Sequence, residues 1–294
     1  MTALNLTGMR IIKALILLLM LNPGLYGQTG KVFDNLSMSS EILDMERKYA
    51  IYLPPDYEIS ERHYPVLYLL HGATDDHSGW IQFGEVLHIA DKTIQQGKAT
   101  PMIIVMPDAD TKRMGYVNSP GKDWRYEDFF FEEFIPFIEK KYRIRSEKRY
   151  RAIAGLSMGG GGTFYYAMHQ PDMFSSACPL SASTGPLTIE QAKQRLDKTD
   201  PGITNKQVEE FYNNYSVLRL IENIPEAQKN SVRWYIDCGD DDFLFEGNSL
   251  VHIAMRKKNI PHEFRIRDGA HSWSYWRESL PEVLDFVYMS FHQH

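Results

Sequence analysis

The stretch GLSMG at residues 155–159 decides the fold prediction. It follows an apolar segment at residues 149–154 that is typical of a buried strand, and it precedes helix-like residues 160–169. In this setting the pattern G-x-S-x-G predicts a tight turn from strand to helix that presents the hydroxyl of Ser157 above a sheet. The glycines suit such a turn because a side chain there would collide with the neighbouring strand or helix. We therefore predict that Ser157 is a nucleophile.

Apolar runs on both sides of this turn predict an α/β fold. Continuous runs of this kind suit parallel strands that are buried on both faces. The continuous runs are residues 66–70 and 102–106, and residues 175–180, 232–237 and 262–267 complete the set of predicted strands. Two alternating segments, residues 37–43 and 48–53, predict a further pair of strands. Apolar residues recur every four positions over residues 130–142, as in a helix that covers a sheet. Strands that alternate with helices predict a mostly parallel, twisted sheet with helices on both faces.

A serine nucleophile needs a nearby base, and chain order predicts that this base is His271. In the α/β-hydrolase fold the order is serine, acid, histidine, and the histidine follows the last strand. His271 comes directly after the predicted strand at residues 262–267. By contrast, His252 falls in a predicted helix and His262 begins the strand itself.

Three neighbouring carboxylates compete for the role of the acid that orients His271. Asp240, Asp241 and Asp242 share one turn after the predicted strand at residues 232–237. The third has room to reach back to the histidine, so we predict Asp242, with Asp240 and Asp241 as the alternatives.

Two backbone N–H groups are needed to hold the negative charge that develops on an attacked carbonyl oxygen. The residue after the nucleophile, Met158, is predicted to supply one. The loop after the strand at residues 66–70 is predicted to supply the other from Ala73, with Gly72 as the alternative. His71 in that loop is predicted to fix the loop rather than to act as a base.

Composition narrows the classes of function. The 294 residues carry a formal net charge of −6, and no long basic run favours nucleic acid as a partner. The pattern H-E-x-x-H and a phosphate-binding glycine loop are both missing from the sequence, so we expect neither a metal nor a cofactor. Cys178 and Cys238 are predicted to be buried thiols, with a single disulfide as the alternative.

The first residues predict a leader. Arg10 and Lys13 precede an apolar run at residues 14–21, as in a secretory signal peptide, which we place at residues 1–27. The alternative is an ordinary buried helix, and the run is too short for a comfortable membrane span. The expected location is therefore secreted or periplasmic. The remainder, residues 31–294, is predicted to be one domain without a membrane span.

Residues 184–230 interrupt the alternation of strands and helices. The segment is long, charged and helix-prone, with Pro186, Pro201 and Pro225 as breaks. It is predicted to be a helical insertion over the active-site edge of the sheet, which serves either as a lid or substrate wall or as surface helices without a role in binding.

Four segments together resemble the esterases related to esterase D, within carbohydrate esterase family one. The segments are residues 69–72, 155–160, 238–242 and 269–273, and the likeness spans about residues 36–290. This group includes feruloyl esterases, acetyl-xylan esterases and S-formylglutathione hydrolases. The resemblance implies the same triad and supports Asp242. S-formylglutathione hydrolases typically have SGLTC where this chain has HGATD at residues 71–75, which favours the secreted, carbohydrate-linked esterases.

The expected function is therefore that of a secreted serine esterase that removes feruloyl or acetyl groups from plant-type polysaccharides. The substrate is an ester, either small or linked to a polysaccharide, and Trp124 and Trp273 are expected to line its pocket. The alternatives are a broad short-chain ester or thioester hydrolase, an acyltransferase, and a binding module that has lost catalysis. The intact order of serine, acid and histidine argues against the last of these.

Overall fold

A computed structural model describes residues 29–109, 112–199 and 202–292, and the predicted signal peptide at residues 1–27 lies outside this range. Eight strands of the described chain form a single sheet. They are β1 (Lys31–Ser40), β2 (Met45–Leu53), β3 (Val66–Leu70), β4 (Ile103–Pro107), β5 (Arg151–Leu156), β6 (Ser176–Leu180), β7 (Arg233–Gly239) and β8 (Glu263–Arg267). Their order across the sheet is β1-β2-β4-β3-β5-β6-β7-β8. The pairs β1–β2 and β2–β4 are antiparallel and all the others are parallel, which confirms the predicted mostly parallel sheet.

Helices cover both faces of this sheet in the part of the chain that the structure describes. The α-helices are α1 (Gly79–Gln82), α2 (Val86–Gln95), α3 (Tyr126–Asp128), α4 (Ile135–Lys141), α5 (Met158–His169), α6 (Ile189–Leu196), α7 (Asn205–Tyr215), α8 (Val217–Asn223), α9 (Phe245–Lys257) and α10 (Trp273–His292). A π-helix, Phe129–Phe134, joins α3 to α4, so the helix predicted at residues 130–142 is present with a wider turn at its start. Short 3₁₀ turns lie at Lys148–Tyr150 and Glu226–Gln228. None of the described helices is long and apolar enough to cross a membrane.

The strands of the central sheet are buried on both sides, which explains their continuous apolar sequences. In β3 every residue is buried, and successive side chains point to opposite faces. Tyr68 points to the aromatic half of the core, where its ring packs edge-on against Phe130 and Phe134. Leu67 and Leu69 belong to the other half of the core, which α2 and α10 cover. A polar residue on either face of this strand would therefore be buried.

The predicted end of the first strand is wrong by three residues. Strand β1 ends at Ser40, and a turn at residues 41–44 follows it. The carboxylate of Glu133 causes the change, since it accepts a hydrogen bond from the Ser40 hydroxyl and one from each of the N–H groups of Glu41 and Ile42. Asp44 then has a φ of 50°, in the left-handed region, and reverses the chain.

The predicted insertion is helical and is fastened to the core by a network around Glu127. His169, at the end of α5, places Nδ1 2.6 Å from Glu127 Oε1 and Nε2 3.0 Å from the carbonyl oxygen of Asn214 in α7. Tyr215 donates to the second oxygen of the same carboxylate at 2.8 Å. Since both ring nitrogens of His169 face acceptors, the charged imidazolium satisfies both contacts. The histidine thus connects the helix of the nucleophile to the insertion.

This network predicts a stability that depends on pH. Burial by itself lowers the pKa of His169, but the hydrogen bond and charge of Glu127 and the carbonyl of Asn214 together raise it above its usual value. A raised pKa stabilises the folded chain fully below the unfolded value of about 6.5, and this contribution disappears as the pH rises through the folded value. We expect His169→Gln to lower the free energy of unfolding by about 1–2 kcal/mol at about pH 6 and by less at about pH 9.

Urea unfolding at a series of pH values measures this difference. His88, an exposed histidine in α2, provides the matched control, and His88→Gln is expected to change the free energy of unfolding by less than about 0.5 kcal/mol, as is usual for a surface substitution. A His169→Gln difference that stays constant from about pH 6 to about pH 9 would show that His169 is not charged in the folded chain.

The two cysteines are free thiols in the structure. Both Cys178 and Cys238 are buried and neither forms a disulfide. Burial raises the pKa of the Cys238 thiol to about 12, which leaves it protonated and unreactive at neutral pH. This agrees with the predicted pair of buried thiols.

Candidate active site

The turn at Ser157 is a strained connection between β5 and α5. Ser157 has a φ of 54° and a ψ of −115°, a backbone conformation that non-glycine residues rarely adopt. A Cβ atom on Gly155 would lie 2.5 Å from the carbonyl oxygen of Gly159, and one on Gly159 would lie 2.6 Å from that of His71. Both positions therefore require glycine. The main chain of Ser157 is held in turn, since its N–H donates to Leu180 at 2.9 Å.

Ser157, His271 and Asp242 form one chain of hydrogen bonds. His271 Nε2 lies 3.0 Å from Ser157 Oγ, and His271 Nδ1 lies 2.8 Å from Asp242 Oδ2. Because the carboxylate oxygen accepts, Nδ1 carries the proton and Nε2 accepts from the serine hydroxyl. The three residues come from the ends of β5, β7 and β8, which meet at the carboxyl edge of the sheet. The structure thus brings the three predicted residues together.

Asp242 is the member of its acidic turn that reaches the histidine. Its side chain is 0% exposed, whereas Asp240 and Asp241 are exposed. Burial alone raises the pKa of Asp242, but hydrogen bonds from His271, the Leu244 N–H and Ser181 outweigh that effect and lower it. The carboxylate is therefore ionised at neutral pH.

The neighbouring acids have other surroundings. Asp240 Oδ1 accepts the N–H of Gly269 at 3.0 Å and so ties the acid turn to the loop that carries His271. Asp240, Asp241 and Asp268 also form an exposed group whose carboxylate oxygens lie within 4.8 Å of one another. Exposed acidic groups of this kind are common without a metal. The group lies outside the triad, and we assign it no ligand.

An ion pair between a buried aspartate and a partly exposed arginine supports the two loops that carry the acid and the base, and it was not predicted from the sequence. Asp237, at 0% exposure in β7, accepts a hydrogen bond from Arg267 of β8 at 2.7 Å and another from the Tyr275 hydroxyl. Arg267 also packs over the Tyr275 ring, with its guanidinium carbon 4.7 Å from the ring centroid. The sequence does contain a signal for this pair: Asp237 lies inside one predicted strand, and Arg267 ends the next.

The two predicted oxyanion donors adjoin Ser157: Met158 follows it in the chain, and Ala73 belongs to a loop that lies beside it. Met158 begins α5, so its N–H has no carbonyl partner within that helix. Ala73 is exposed in the loop after β3. Across the residues that the structure describes, no hydrogen bond from either N–H is present. A Cβ atom on Gly72 would lie 3.4 Å from the Cβ of Ser157, which places this loop directly beside the nucleophile. Both N–H groups are therefore available to an oxyanion.

His71 holds this loop in place. Its Nε2 accepts the N–H of Ala109 at 2.9 Å, and its Nδ1 lies 2.8 Å from the carbonyl oxygen of Gly72. These contacts need the neutral ring with its proton on Nδ1. Burial lowers the pKa of His71, in agreement with that neutral form. The ring is engaged at both nitrogens and is not placed to act as a base.

The two tryptophans predicted to bind substrate occupy different positions. Trp273 is half-buried at the start of α10, where its ring packs edge-on against Trp276, which in turn packs edge-on against His271. Trp124 is only 2% exposed, and its indole N–H donates to the Gly115 carbonyl at 2.7 Å. Because Trp124 is buried, it has no open ring face for a ligand. Its indole N–H instead supports the preceding loop, which contains Gly115.

Residues 40–287 match a family model named Esterase and described as "Putative esterase". The chain belongs to this family. Membership confirms the predicted resemblance and the predicted enzyme class, the carboxylic ester hydrolases.

Curated relatives of this esterase include much longer proteins. An esterase of Mycobacterium tuberculosis is 37% identical over 145 residues, which are 48% of this chain and 29% of the relative. An endo-1,4-beta-xylanase/feruloyl esterase of Xylanibacter ruminicola is 35% identical over 173 residues, which are 54% of this chain and 24% of the relative. The chain thus spans less than a third of the length of these two relatives.

Solved structures with the same fold cover nearly all of the esterase. A ferulic acid esterase superposes with a TM-score of 0.79 at 37% sequence identity, over 90% of this chain and 100% of the other. An S-formylglutathione hydrolase from Agrobacterium tumefaciens superposes with a TM-score of 0.72 at 21% identity, over 91% of this chain and 97% of the other. At 21% identity, the second likeness shows the fold alone. The two superpositions together confirm the predicted α/β-hydrolase architecture.

Proposed function

We propose that this chain is a serine esterase that hydrolyses feruloyl esters of plant-type polysaccharides through an acyl-enzyme intermediate. The observation that carries the proposal is the position of His271 between Asp242 and Ser157, at 2.8 and 3.0 Å. A serine hydroxyl is a weak nucleophile until a base removes its proton, and this arrangement supplies the base and the group that orients it.

Each residue then has a role in two acyl-transfer steps. Ser157 Oγ attacks the ester carbonyl while His271 Nε2 takes the serine proton, and the carboxylate of Asp242 stabilises the imidazolium that forms. The N–H groups of Met158 and Ala73 hold the negative charge on the carbonyl oxygen. His271 next gives its proton to the leaving alcohol. A water molecule enters, gives a proton to His271 and attacks the acyl carbonyl. The bond to Ser157 Oγ then breaks as His271 returns that proton to Oγ, which releases the acid and restores the enzyme.

The feruloyl group is favoured by the relatives rather than by the triad. The ferulic acid esterase is 37% identical over 90% of this chain, and a feruloyl esterase appears among the longer relatives as well. An aromatic side chain near the triad suits a phenolic acyl group, since the half-buried Trp273 packs on Trp276, whose ring in turn contacts His271. We further propose that residues 1–27 act as a signal peptide and direct the chain to a secreted or periplasmic location, where plant-type polysaccharide is accessible.

Initial rates on three esters test the substrate. We expect kcat/KM for methyl ferulate to exceed that for p-nitrophenyl acetate and p-nitrophenyl butyrate after correction for their more reactive leaving group. Liberated ferulate and p-nitrophenolate are measured by absorbance. A preference for acetate would assign the chain to deacetylation instead, and a lack of turnover on all three esters would contradict the esterase activity itself.

A further inference from the structure

Phe243 exposes its ring beside the proposed catalytic base. Its exposed fraction is 76%, larger than that of any other large apolar side chain in the described residues. The centroid of its ring lies 4.5 Å from that of His271, with the two planes inclined at 51°. Single exposed apolar residues are ordinary on protein surfaces, so exposure alone indicates no function. What sets Phe243 apart is its position against His271.

The acid turn holds Phe243 in this position. The residue lies between Asp242 and Leu244, and the Leu244 N–H donates to Asp242 Oδ1 at 2.8 Å. The backbone on either side of Phe243 is therefore fastened to the same carboxylate that orients His271. Trp276 packs edge-on against the imidazole at 4.9 Å and is itself buried. Of these two aromatic neighbours, Phe243 is the one that keeps a face open to solvent.

The chemistry of the leaving group decides which part of a substrate meets this face. His271 Nε2 has to pass its proton to the departing alcohol oxygen, so the alcohol leaves alongside the imidazole. The oxyanion donors of the loop at residues 72–73 lie on the β3 side of Ser157, where Gly72 approaches the serine. A ring that packs on the imidazole therefore borders the path of the alcohol.

We propose that Phe243 forms a subsite for the alcohol part of the substrate and binds the sugar ring that carries the ester. The C–H face of a sugar ring is apolar and matches the exposed face of a phenyl ring in size, while the sugar hydroxyls stay in water. This subsite rests on the proposed esterase function, since it assigns an alcohol to the same triad. It makes the enzyme prefer esters of sugars to esters of small alcohols.

Two esters of the same acid test the subsite. Methyl ferulate and feruloyl-arabinose share the acyl group and differ in the alcohol, so the ratio of their kcat/KM values isolates the alcohol side. We expect Phe243→Ala and Phe243→Leu to lower the ratio of sugar ester to methyl ester by about fivefold to tenfold, the effect expected for one lost aromatic contact. Phe243→Trp keeps a flat ring and is expected to restore the ratio.

Phe33 supplies the matched control, because it is an exposed phenylalanine of β1, 41% accessible and remote from the triad. Phe33→Ala is expected to leave the ratio as in the wild type. If Phe243→Ala lowers kcat/KM for both esters by the same factor, Phe243 merely supports His271 and the subsite is disproved. If the wild type hydrolyses neither ester, the proposed function fails and the subsite fails with it. Turnover of methyl ferulate with an unchanged ratio would reject the subsite alone.

Discussion

Replacement of Ser157 by alanine is expected to lower kcat for methyl ferulate by about 10⁴-fold or more. The substitution removes the oxygen that forms the acyl-enzyme, and the remaining oxyanion donors and binding contacts retain a small part of the acceleration. Serine and alanine have the same backbone requirements, so the strained turn with a φ of 54° is disturbed little. Ferulate release under saturating substrate measures the loss.

Ser146→Ala is the matched control, since Ser146 is an exposed residue away from the triad. It is expected to have wild-type kcat. Circular dichroism and the melting temperature of both variants check the fold. Equal activity of the wild type and Ser157→Ala would show that another residue is the nucleophile, and the assignment of the triad would have to be abandoned.

Asp242→Asn is expected to lower kcat by about 10³–10⁴-fold. An asparagine amide of nearly the same shape can donate to His271 Nδ1, which moves the ring proton to Nε2. Nε2 then has no lone pair to accept the proton of Ser157, and residue 242 no longer supplies the negative charge that stabilises the imidazolium. The pH dependence of kcat and the melting temperature separate this effect from a loss of folding.

The two neighbouring acids provide the controls for Asp242. Asp240→Asn preserves an oxygen that accepts the Gly269 N–H, and Asp241 is exposed and is not placed to reach His271. Each of these variants is expected to keep kcat within about threefold of wild type, as surface substitutions generally do. If Asp241→Asn lost as much activity as Asp242→Asn, the acid of the triad would be misassigned.

Much of the fold was predictable because its signals are local. The strands of the sheet centre are covered on both faces, so each one appears in the sequence as a short apolar run. The glycines around Ser157 are equally local, since the turn leaves no space for a side chain at residues 155 and 159. By contrast, β1 ends earlier than its alternation predicts, because Glu133 lies 92 residues away along the chain and binds the turn at Glu41.

The residues of the site can likewise be divided into those that a sequence signal predicts and those that only packing places. The G-x-S-x-G turn predicted Ser157, and chain order predicted His271, because the fold brings the ends of successive parallel strands to one edge of the sheet. Three consecutive aspartates are alike as sequence, and it was the packing of the turn that buried Asp242 and left the other two in water. Trp124 shows the limit of composition, since a tryptophan expected to line the substrate pocket is buried and supports a loop.

The sequence by itself therefore determined the order of strands and helices, the nucleophile turn and the position of the base, all of which follow from residues close together along the chain. The tertiary structure decided which aspartate meets His271, how the insertion is fastened through His169 and Glu127, and that Phe243 faces solvent beside the base. These features depend on contacts between segments that are remote in sequence. Such contacts exist only once the sheet has assembled and burial has selected which polar and aromatic groups remain exposed.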